Sequence, residues 1–234
     1  MRIAALDIDG TLLPGSLGLR LLELLRARGL ASADGIDAIF AAVRRHRASE
    51  LSFAEMVNAT TRAYGDAIRG LDPAAIERVA EDVWRARRDA LYPFVRPMLA
   101  ELRRRGLRPV IVSSSPLEVV TLLARELEIP DAAGAVYSRE RGRFTGACSL
   151  MPGRAGGKVV ALCRVLGIPS LTGHVDLANS TALGDSRSDA CVLALVGTPV
   201  AFEPSLELRE LAEARGWLIS DRARVLDDLT RALA

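Results

Sequence analysis

Near its first residue the chain reads Arg2-Ile-Ala-Ala-Leu-Asp-Ile-Asp-Gly-Thr-Leu12. A short apolar run, typical of a buried strand, ends in two aspartates that are separated by one residue and followed by a glycine. An unpaired carboxylate is costly to bury, so a strand that ends in acids needs a reason for them. In an open α/β sheet, ligands bind at the carboxyl ends of the strands. Asp7 and Asp9 could therefore divide the roles of nucleophile and proton donor, or hold a hard cation through oxygen ligands.

Composition narrows the class of protein. The 234 residues include 31 basic and 29 acidic ones, interspersed along the chain, for a formal net charge of +2. The lack of a basic patch argues against nucleic-acid binding, and no apolar run is long enough to cross a membrane. Three cysteines without C-x-x-C spacing, and no apolar leader, favour a reducing, cytoplasmic location. Lys158 is the only lysine, which favours a site that needs a compact point charge.

Strand and helix patterns alternate along most of the chain and predict an α/β fold. The predicted strands are residues 2–8, 108–113, 135–138, 142–146, 181–184, 199–202 and 217–219. Ser115-Pro116 predicts the start of a helix with Ser115 as its N-cap, and a further helix is expected at 188–196.

The connection between the first two predicted strands has a different character. It shows helical periodicity throughout, with no strand-like alternation. We therefore expect a doubly wound, mostly parallel, Rossmann-like core made of residues 1–15 and 92–234. Residues 16–91 form an all-helical insertion in this core.

Side chains that could carry chemistry follow predicted strands or begin predicted helices. They are Asp7, Asp9, Ser113, Lys158, Asp185 and Asp189. Loops at one edge of a doubly wound sheet converge even when they are distant in sequence. Carboxylates, a hydroxyl and a single cation form a coherent set for phosphoryl transfer, which depends mainly on positioning and charge neutralisation.

Each of these motifs also has a simpler explanation. The two acids of the first strand could open a calcium loop, although Leu12 stands where an EF-hand requires glycine. Residues 113–115 could only cap a helix. Asp185 and Asp189 could be acids in the first turn of a helix. The site would be non-functional only if all of these alternatives were true at once.

The order of the motifs resembles the haloacid dehalogenase superfamily, in its phosphoserine-phosphatase-like branch with a helical cap inserted after the first motif. The resemblance rests on D-x-D-G-T at 7–11, Ser113, Lys158, G-D-x-x-x-D at 184–189, and the tail 200–217. It implies a magnesium-dependent phosphomonoesterase that hydrolyses a small phosphorylated metabolite through an aspartyl-phosphate. The active form would be a monomer or a homodimer.

The resemblance also implies a role for each acid. Asp7 attacks the phosphorus, and Asp9 protonates the leaving alcohol and then activates water, so the pKa of Asp9 should exceed that of Asp7. Mg²⁺ is held by the Asp7 carboxylate, the Asp9 backbone carbonyl and Asp185. Asp189 orients either water molecules or Lys158.

The substrate-binding residues implied in the same way are Thr11, Ser113, Ser114 and Lys158. Ser113 donates its hydroxyl to the phosphoryl group, and the Ser114 amide lies at a helix N-terminus suited to anions. Lys158 offsets the charge between nucleophile and phosphate, and Thr11 fixes the turn that follows the first motif.

Two other functions stay open at this point: a phosphotransferase or mutase with the same intermediate, and a non-catalytic ligand-binding relative. Phosphoserine phosphatases usually carry a glutamate soon after the first motif that grips the serine amine. Residues 12–18 contain no acid here, and Glu23 lies within the following helix, which argues against phosphoserine as the substrate. Arg44, Arg45 and Arg47 of the insertion could reach an anionic substrate.

Overall fold

A mostly parallel sheet of seven strands forms the centre of the molecule in the computed structural model, which describes residues 1–234. The strands are β1 (Ile3–Leu6), β2 (Arg108–Pro116), β3 (Ala132–Glu140), β4 (Arg143–Leu150), β5 (Thr181–Gly184), β6 (Thr198–Phe202) and β7 (Leu218–Ser220). Their order is β4-β3-β2-β1-β5-β6-β7, and β4 alone runs antiparallel to its neighbour. The chain winds outward from β1 in both directions, which confirms the predicted doubly wound α/β fold.

Helices connect the strands. They are α1 (Leu17–Ala27), α2 (Ala33–Arg47), α3 (Phe53–Ile68), α4 (Pro73–Arg87), α5 (Val95–Arg104), α6 (Leu117–Glu126), α7 (Gly157–Leu166), α8 (Ala190–Leu193), α9 (Leu206–Arg215) and α10 (Val225–Ala232). Five of them, α1 to α5, lie between β1 and β2, and the first four fall within the predicted insertion, which is therefore helical, as predicted. None of the helices is both long and apolar enough to cross a lipid bilayer.

Local sequence explains where the helices of the insertion begin. The four N-cap residues accept hydrogen bonds from amides of the first helical turn, which would otherwise lack partners; they are Ser16, Ser32, Ser52 and Asp72. At α3, the carboxylate of Glu55 accepts a hydrogen bond from the Ser52 amide, which completes a capping box.

The insertion touches the core in two ways. Helices α2 and α3 pack against each other, and α3 lies on β4. Gly65 permits this approach, because a Cβ there would lie 2.1 Å from the carbonyl oxygen of Gly146. Helices α1 and α4 instead pack on α6. The boundaries expected for the insertion, 16–91, stay a prediction.

Two hydrophobic cores lie on opposite faces of the sheet. Ala4 and Leu6 of β1 contribute to one core, and Ile3 and Ala5 contribute to the other. All four side chains are at most 4% exposed, because parallel strands are covered by helices on both faces. The central strand is therefore fixed from both sides, and so is the position of the acid that follows it.

The structure corrects several predicted boundaries, and two of these corrections bear on the site. Strand β2 continues past Ser113 to Pro116, and α6 begins at Leu117 with no side-chain cap. Ser115 is thus not the N-cap that we expected, because it lies in the extended strand and its hydroxyl bonds to other groups. The helix predicted at 188–196 is a 3₁₀ turn, Arg187–Asp189, followed by the short α8.

Candidate active site

A buried ion-pair triad lies at the carboxyl edge of the sheet. The Nζ atom of Lys158 is 2.6 Å from Oδ1 of Asp7 and 2.5 Å from Oδ1 of Asp189. The three side chains are between 3% and 7% exposed. Ion pairs of this kind are retained only when every charge has a partner, since the desolvation of an unpaired charge is costly.

Backbone geometry brings Lys158 to this place. It follows Gly156, whose φ of +70° favours glycine, and Gly157, where a Cβ would lie 2.4 Å from the Met151 carbonyl oxygen. The tight turn places Lys158 in the first turn of α7 with its side chain buried behind Asp7. Burial alone lowers the pKa of Lys158, but Asp189 and Asp7 outweigh this effect and raise it, so the ammonium stays charged.

A third acid completes the cluster at the end of β5. Carboxylate oxygens of Asp7, Asp185 and Asp189 lie within 4.8 Å of one another. Gly10, with a φ of +84°, allows Asp185 to come this close, because a Cβ at that position would lie 2.3 Å from Oδ2 of Asp185. The Thr11 hydroxyl donates to Oδ1 of Asp185 at 3.3 Å. Thr11, which we expected among the substrate-binding residues, is buried against this acid.

The donor set of the cluster suits a divalent cation. Three carboxylates face one ammonium, which leaves an excess of negative charge. Hard cations such as Mg²⁺ prefer such oxygen ligands. Burial, and after it the charge of Asp189, raises the pKa of Asp185 to about 7, and burial raises the pKa of Asp7 well above 3.8 even though Lys158 opposes the shift. The site therefore has the charge and the ligand chemistry for a cation.

Asp9 has a different environment, although it lies only two residues from Asp7. Its carboxylate accepts hydrogen bonds from the Leu17 amide at 2.9 Å, the Ser115 hydroxyl at 2.5 Å and the Ser16 hydroxyl at 3.3 Å. Burial raises the pKa of Asp9, and these three bonds oppose the rise. Burial, followed by the charges of Asp189 and Asp185, also raises the pKa of Asp7 although Lys158 opposes the shift, and the predicted order of the two pKa values stays a prediction.

Ser115 belongs to the site, although its sequence context indicates only a helix cap. Besides donating to Asp9, its hydroxyl accepts a hydrogen bond from the Gly18 amide at 2.8 Å. It thereby joins the end of β2 to the start of α1. A run of three serines after a buried strand was the available signal, but it did not say which serine faces the neighbouring strand.

The other two serines have distinct positions. Ser113 is fully buried, and its hydroxyl accepts from the Ser115 amide at 3.1 Å. Ser114 is exposed, and its amide lies in strand β2. The predicted position of this amide, at the N-terminus of a helix, is therefore wrong. Both residues line a cavity at this edge of the sheet.

A cavity of about 460 Å³ lies between the sheet edge and the insertion. Its floor includes Asp7, Asp9 and Asp185, whereas α1, α2 and α3 supply the opposite wall. Arg47 lines it. Arg45 instead pairs with Glu50 at 3.2 Å.

Two other charged residues considered from sequence do not line this cavity. Arg44 is exposed on α2 and lies outside the lining. Glu23 is exposed on α1 and pairs with Arg20 at 2.7 Å, so it provides no carboxylate to the cavity.

Comparison with known proteins identifies the family. The family model for haloacid dehalogenase-like hydrolases matches residues 4–194. The chain belongs to this family. The chain is 28% identical to the phosphoserine phosphatase SerB1 of Mycobacterium tuberculosis over 219 residues, 93% of this chain and 70% of that one. It is 31% identical to SerB2 of the same organism, over 91% of this chain and 47% of that one.

Solved structures share the fold of this member of the haloacid dehalogenase-like hydrolases. A Bordetella pertussis protein of unknown function superposes with a TM-score of 0.75 and 24% identity, covering 94% of this chain and 98% of that one. A substrate-bound phosphoserine phosphatase superposes with a TM-score of 0.67 and 17% identity, covering 100% and 99%. The expected superfamily membership and phosphatase class are thereby confirmed, while the substrates in these names are those of the relatives.

Proposed function

We propose that the protein is a magnesium-dependent phosphomonoesterase that hydrolyses a small phosphorylated metabolite through an aspartyl-phosphate at Asp7. The observation that carries this proposal is the convergence of Asp7, Asp185, Asp189 and Lys158 at the ends of adjacent strands and the start of α7. The family match supports it. The insertion, residues 16–91, would act as a cap that covers the site.

The proposed first step is nucleophilic. An oxygen of Asp7 attacks the phosphorus, the bond from phosphorus to the alcohol oxygen breaks, and a proton from Asp9 completes the alcohol. Burial raises the pKa of Asp9, which favours the protonated form that this step needs. Ser113 and Ser114 at the cavity floor would donate hydrogen bonds to the phosphoryl oxygens.

The proposed second step returns the enzyme to its initial state. Ionised Asp9 takes a proton from water, the water oxygen bonds to phosphorus, and the acyl phosphate bond to Asp7 breaks to release inorganic phosphate. Lys158 stays hydrogen-bonded to Asp189 in both steps and offsets the negative charge beside Asp7. A Mg²⁺ ion held by Asp7, Asp185 and the Asp9 carbonyl would neutralise charge on the phosphoryl group.

The test is phosphate release from a generic phosphomonoester, with MgCl₂ and with EDTA. Asp7→Asn should lower kcat by about a thousandfold or more, because the amide is not a nucleophile. The control variant Asp34→Asn changes an exposed acid at the start of α2 and should keep full activity. Full activity of Asp7→Asn would refute the nucleophile, and alcohol released in excess of phosphate would indicate transfer to another acceptor.

A further inference from the structure

The cavity has two chemically different walls. Its carboxylates are Asp7, Asp9 and Asp185, all at the sheet edge. The wall formed by the insertion is mostly apolar. Ile39, Val43 and Arg47 occupy one face of α2 at a spacing of four residues, so a hydrophobic stripe ends in one cation.

Several apolar side chains on this wall have no place in the cores of the protein. Val43, Phe53 and Met56 line the cavity but belong to neither of the two hydrophobic cores. All three are half-buried. Apolar surface that faces a cavity gains free energy when another apolar group removes it from water. The wall is thus suited to an apolar ligand group.

The polar groups of the same wall set two further limits on the ligand. The Tyr64 hydroxyl is buried without a hydrogen-bond partner, whereas the hydroxyl of neighbouring Tyr137 donates to the Thr61 carbonyl at 3.1 Å. Tyr64 can therefore bond one oxygen of a ligand. No carboxylate of the lining lies on the insertion, so a ligand ammonium would find no counter-charge there.

Resting on the proposed phosphomonoesterase activity, we propose that the alcohol part of the substrate is a mainly apolar group that carries no ammonium. The phosphate lies at the sheet edge, and the apolar group packs against Val43, Phe53 and Met56. Zwitterionic amino-acid phosphates, including phosphoserine, are poor substrates, because their ammonium would be desolvated beside apolar side chains.

The test compares kcat/KM for n-hexyl phosphate, ethyl phosphate and O-phosphoserine at saturating MgCl₂. Hexyl and ethyl phosphate release similar primary alcohols, so their difference reports binding of the extra methylenes. Each buried methylene contributes about fourfold, so burial of at least two of the four extra methylenes should make kcat/KM for hexyl phosphate about tenfold or more above that for ethyl phosphate. It should also exceed phosphoserine by about tenfold or more, because the ammonium of phosphoserine would be desolvated on binding.

A negative charge placed on the wall should weaken this preference. Val43→Glu supplies a carboxylate on the stripe, and should shift the ratio of hexyl phosphate to phosphoserine by about tenfold towards phosphoserine. The matched control Ala38→Glu adds the same charge to an exposed position of α2 outside the cavity and should leave the ratio unchanged. Circular dichroism melting verifies that both variants are folded.

A binding measurement separates failure of this inference from failure of the proposed function. Calorimetric titration of hexylphosphonate and ethylphosphonate, which cannot be hydrolysed, reports the pocket without turnover. Tighter binding of hexylphosphonate with no hydrolysis of any ester would overturn the proposed function and keep the pocket assignment. Hydrolysis with equal rates for hexyl and ethyl phosphate, or with phosphoserine preferred, would overturn the pocket assignment and keep the function.

Discussion

Replacement of Asp185 by asparagine should stabilise the metal-free protein, even though it removes a residue proposed to bind magnesium. Burial and the charge of Asp189 raise the pKa of Asp185 from 3.8 to about 7. Each pKa unit corresponds to about 1.4 kcal/mol, so ionised Asp185 destabilises the folded state by about 4 kcal/mol when it is fully charged. Asparagine keeps an oxygen that can accept from Thr11 and removes this charge.

The sign of the effect follows from the two pKa values. The unfolded chain loses the proton near pH 4 and the folded protein near pH 7, so the stability of the unchanged protein falls as the pH rises between them. At about pH 8 the variant should be more stable by about 2 to 4 kcal/mol. At about pH 5 less than half of this difference should remain.

Urea unfolding in EDTA, followed by circular dichroism at both pH values, measures the difference. Excess MgCl₂ should then stabilise the unchanged protein, because only the folded site binds the ion. It should have little effect on Asp185→Asn, because this variant lacks one of the proposed carboxylate ligands. The reasoning fails if the variant is less stable at pH 8, or if its gain is the same at both pH values.

A matched control uses another buried acid. Asp131 is 6% exposed and accepts two bonds from Arg108. Asp131→Asn takes the carboxylate partner from the Arg108 guanidinium and should destabilise the protein by about 1–3 kcal/mol. This effect is opposite in sign to the one expected for Asp185→Asn. If both substitutions stabilise the protein, the effect is a general one of removing acids.

Three other substitutions test further contacts. Lys158→Arg should lower kcat by about a hundredfold or more, because a planar guanidinium does not fit the buried space of an ammonium; phosphate release measures it, and nearly full activity would contradict it. Ser115→Ala removes a hydrogen bond that lowers the pKa of Asp9, so the basic limb of the pH–rate profile should move to higher pH and kcat should fall by about tenfold. An unmoved limb would mean that Ser115 does not act through Asp9. Gly65→Ala directs a Cβ at the Gly146 carbonyl and should destabilise the protein by about 1–3 kcal/mol in urea unfolding. An unchanged midpoint would show that α3 does not rest closely on β4.

The sheet and its acids were predictable because they depend on local pattern and on one topological rule. A buried apolar run ending in Asp7, and another ending at Gly184 before Asp185, predict parallel strands with acids at one edge. The pairing of Leu6 with both Ile111 and Leu183 confirms that these ends are neighbours.

The role of Ser115 was not predictable in the same way. Ser-Pro is a common helix start, and local sequence therefore favours a cap. In the structure the strand continues, and the hydroxyl bonds to Asp9, which is 106 residues away in the chain. A tertiary contact decided the conformation, and local propensity carries no information about that contact.

The orientation of the insertion also could not be predicted from the sequence. Helical periodicity indicates that Arg44, Arg45 and Arg47 lie on α2, but not which of them faces the active site. That depends on the rotation of α2 against α3, which is set by packing at positions such as Ile36 and Ile39. Only Arg47 of the three lines the cavity.

The single lysine has a practical consequence for following the opening of the molecule. An endoproteinase that cuts after lysine has one site in this chain, after Lys158, and that side chain is 2% exposed in the folded state. Digestion would yield residues 1–158 and 159–234, and only from molecules in which α7 has detached from the sheet. Where reclosing is faster than cleavage, the rate at which these fragments accumulate reports the fraction of molecules whose active-site edge is open in otherwise native solution.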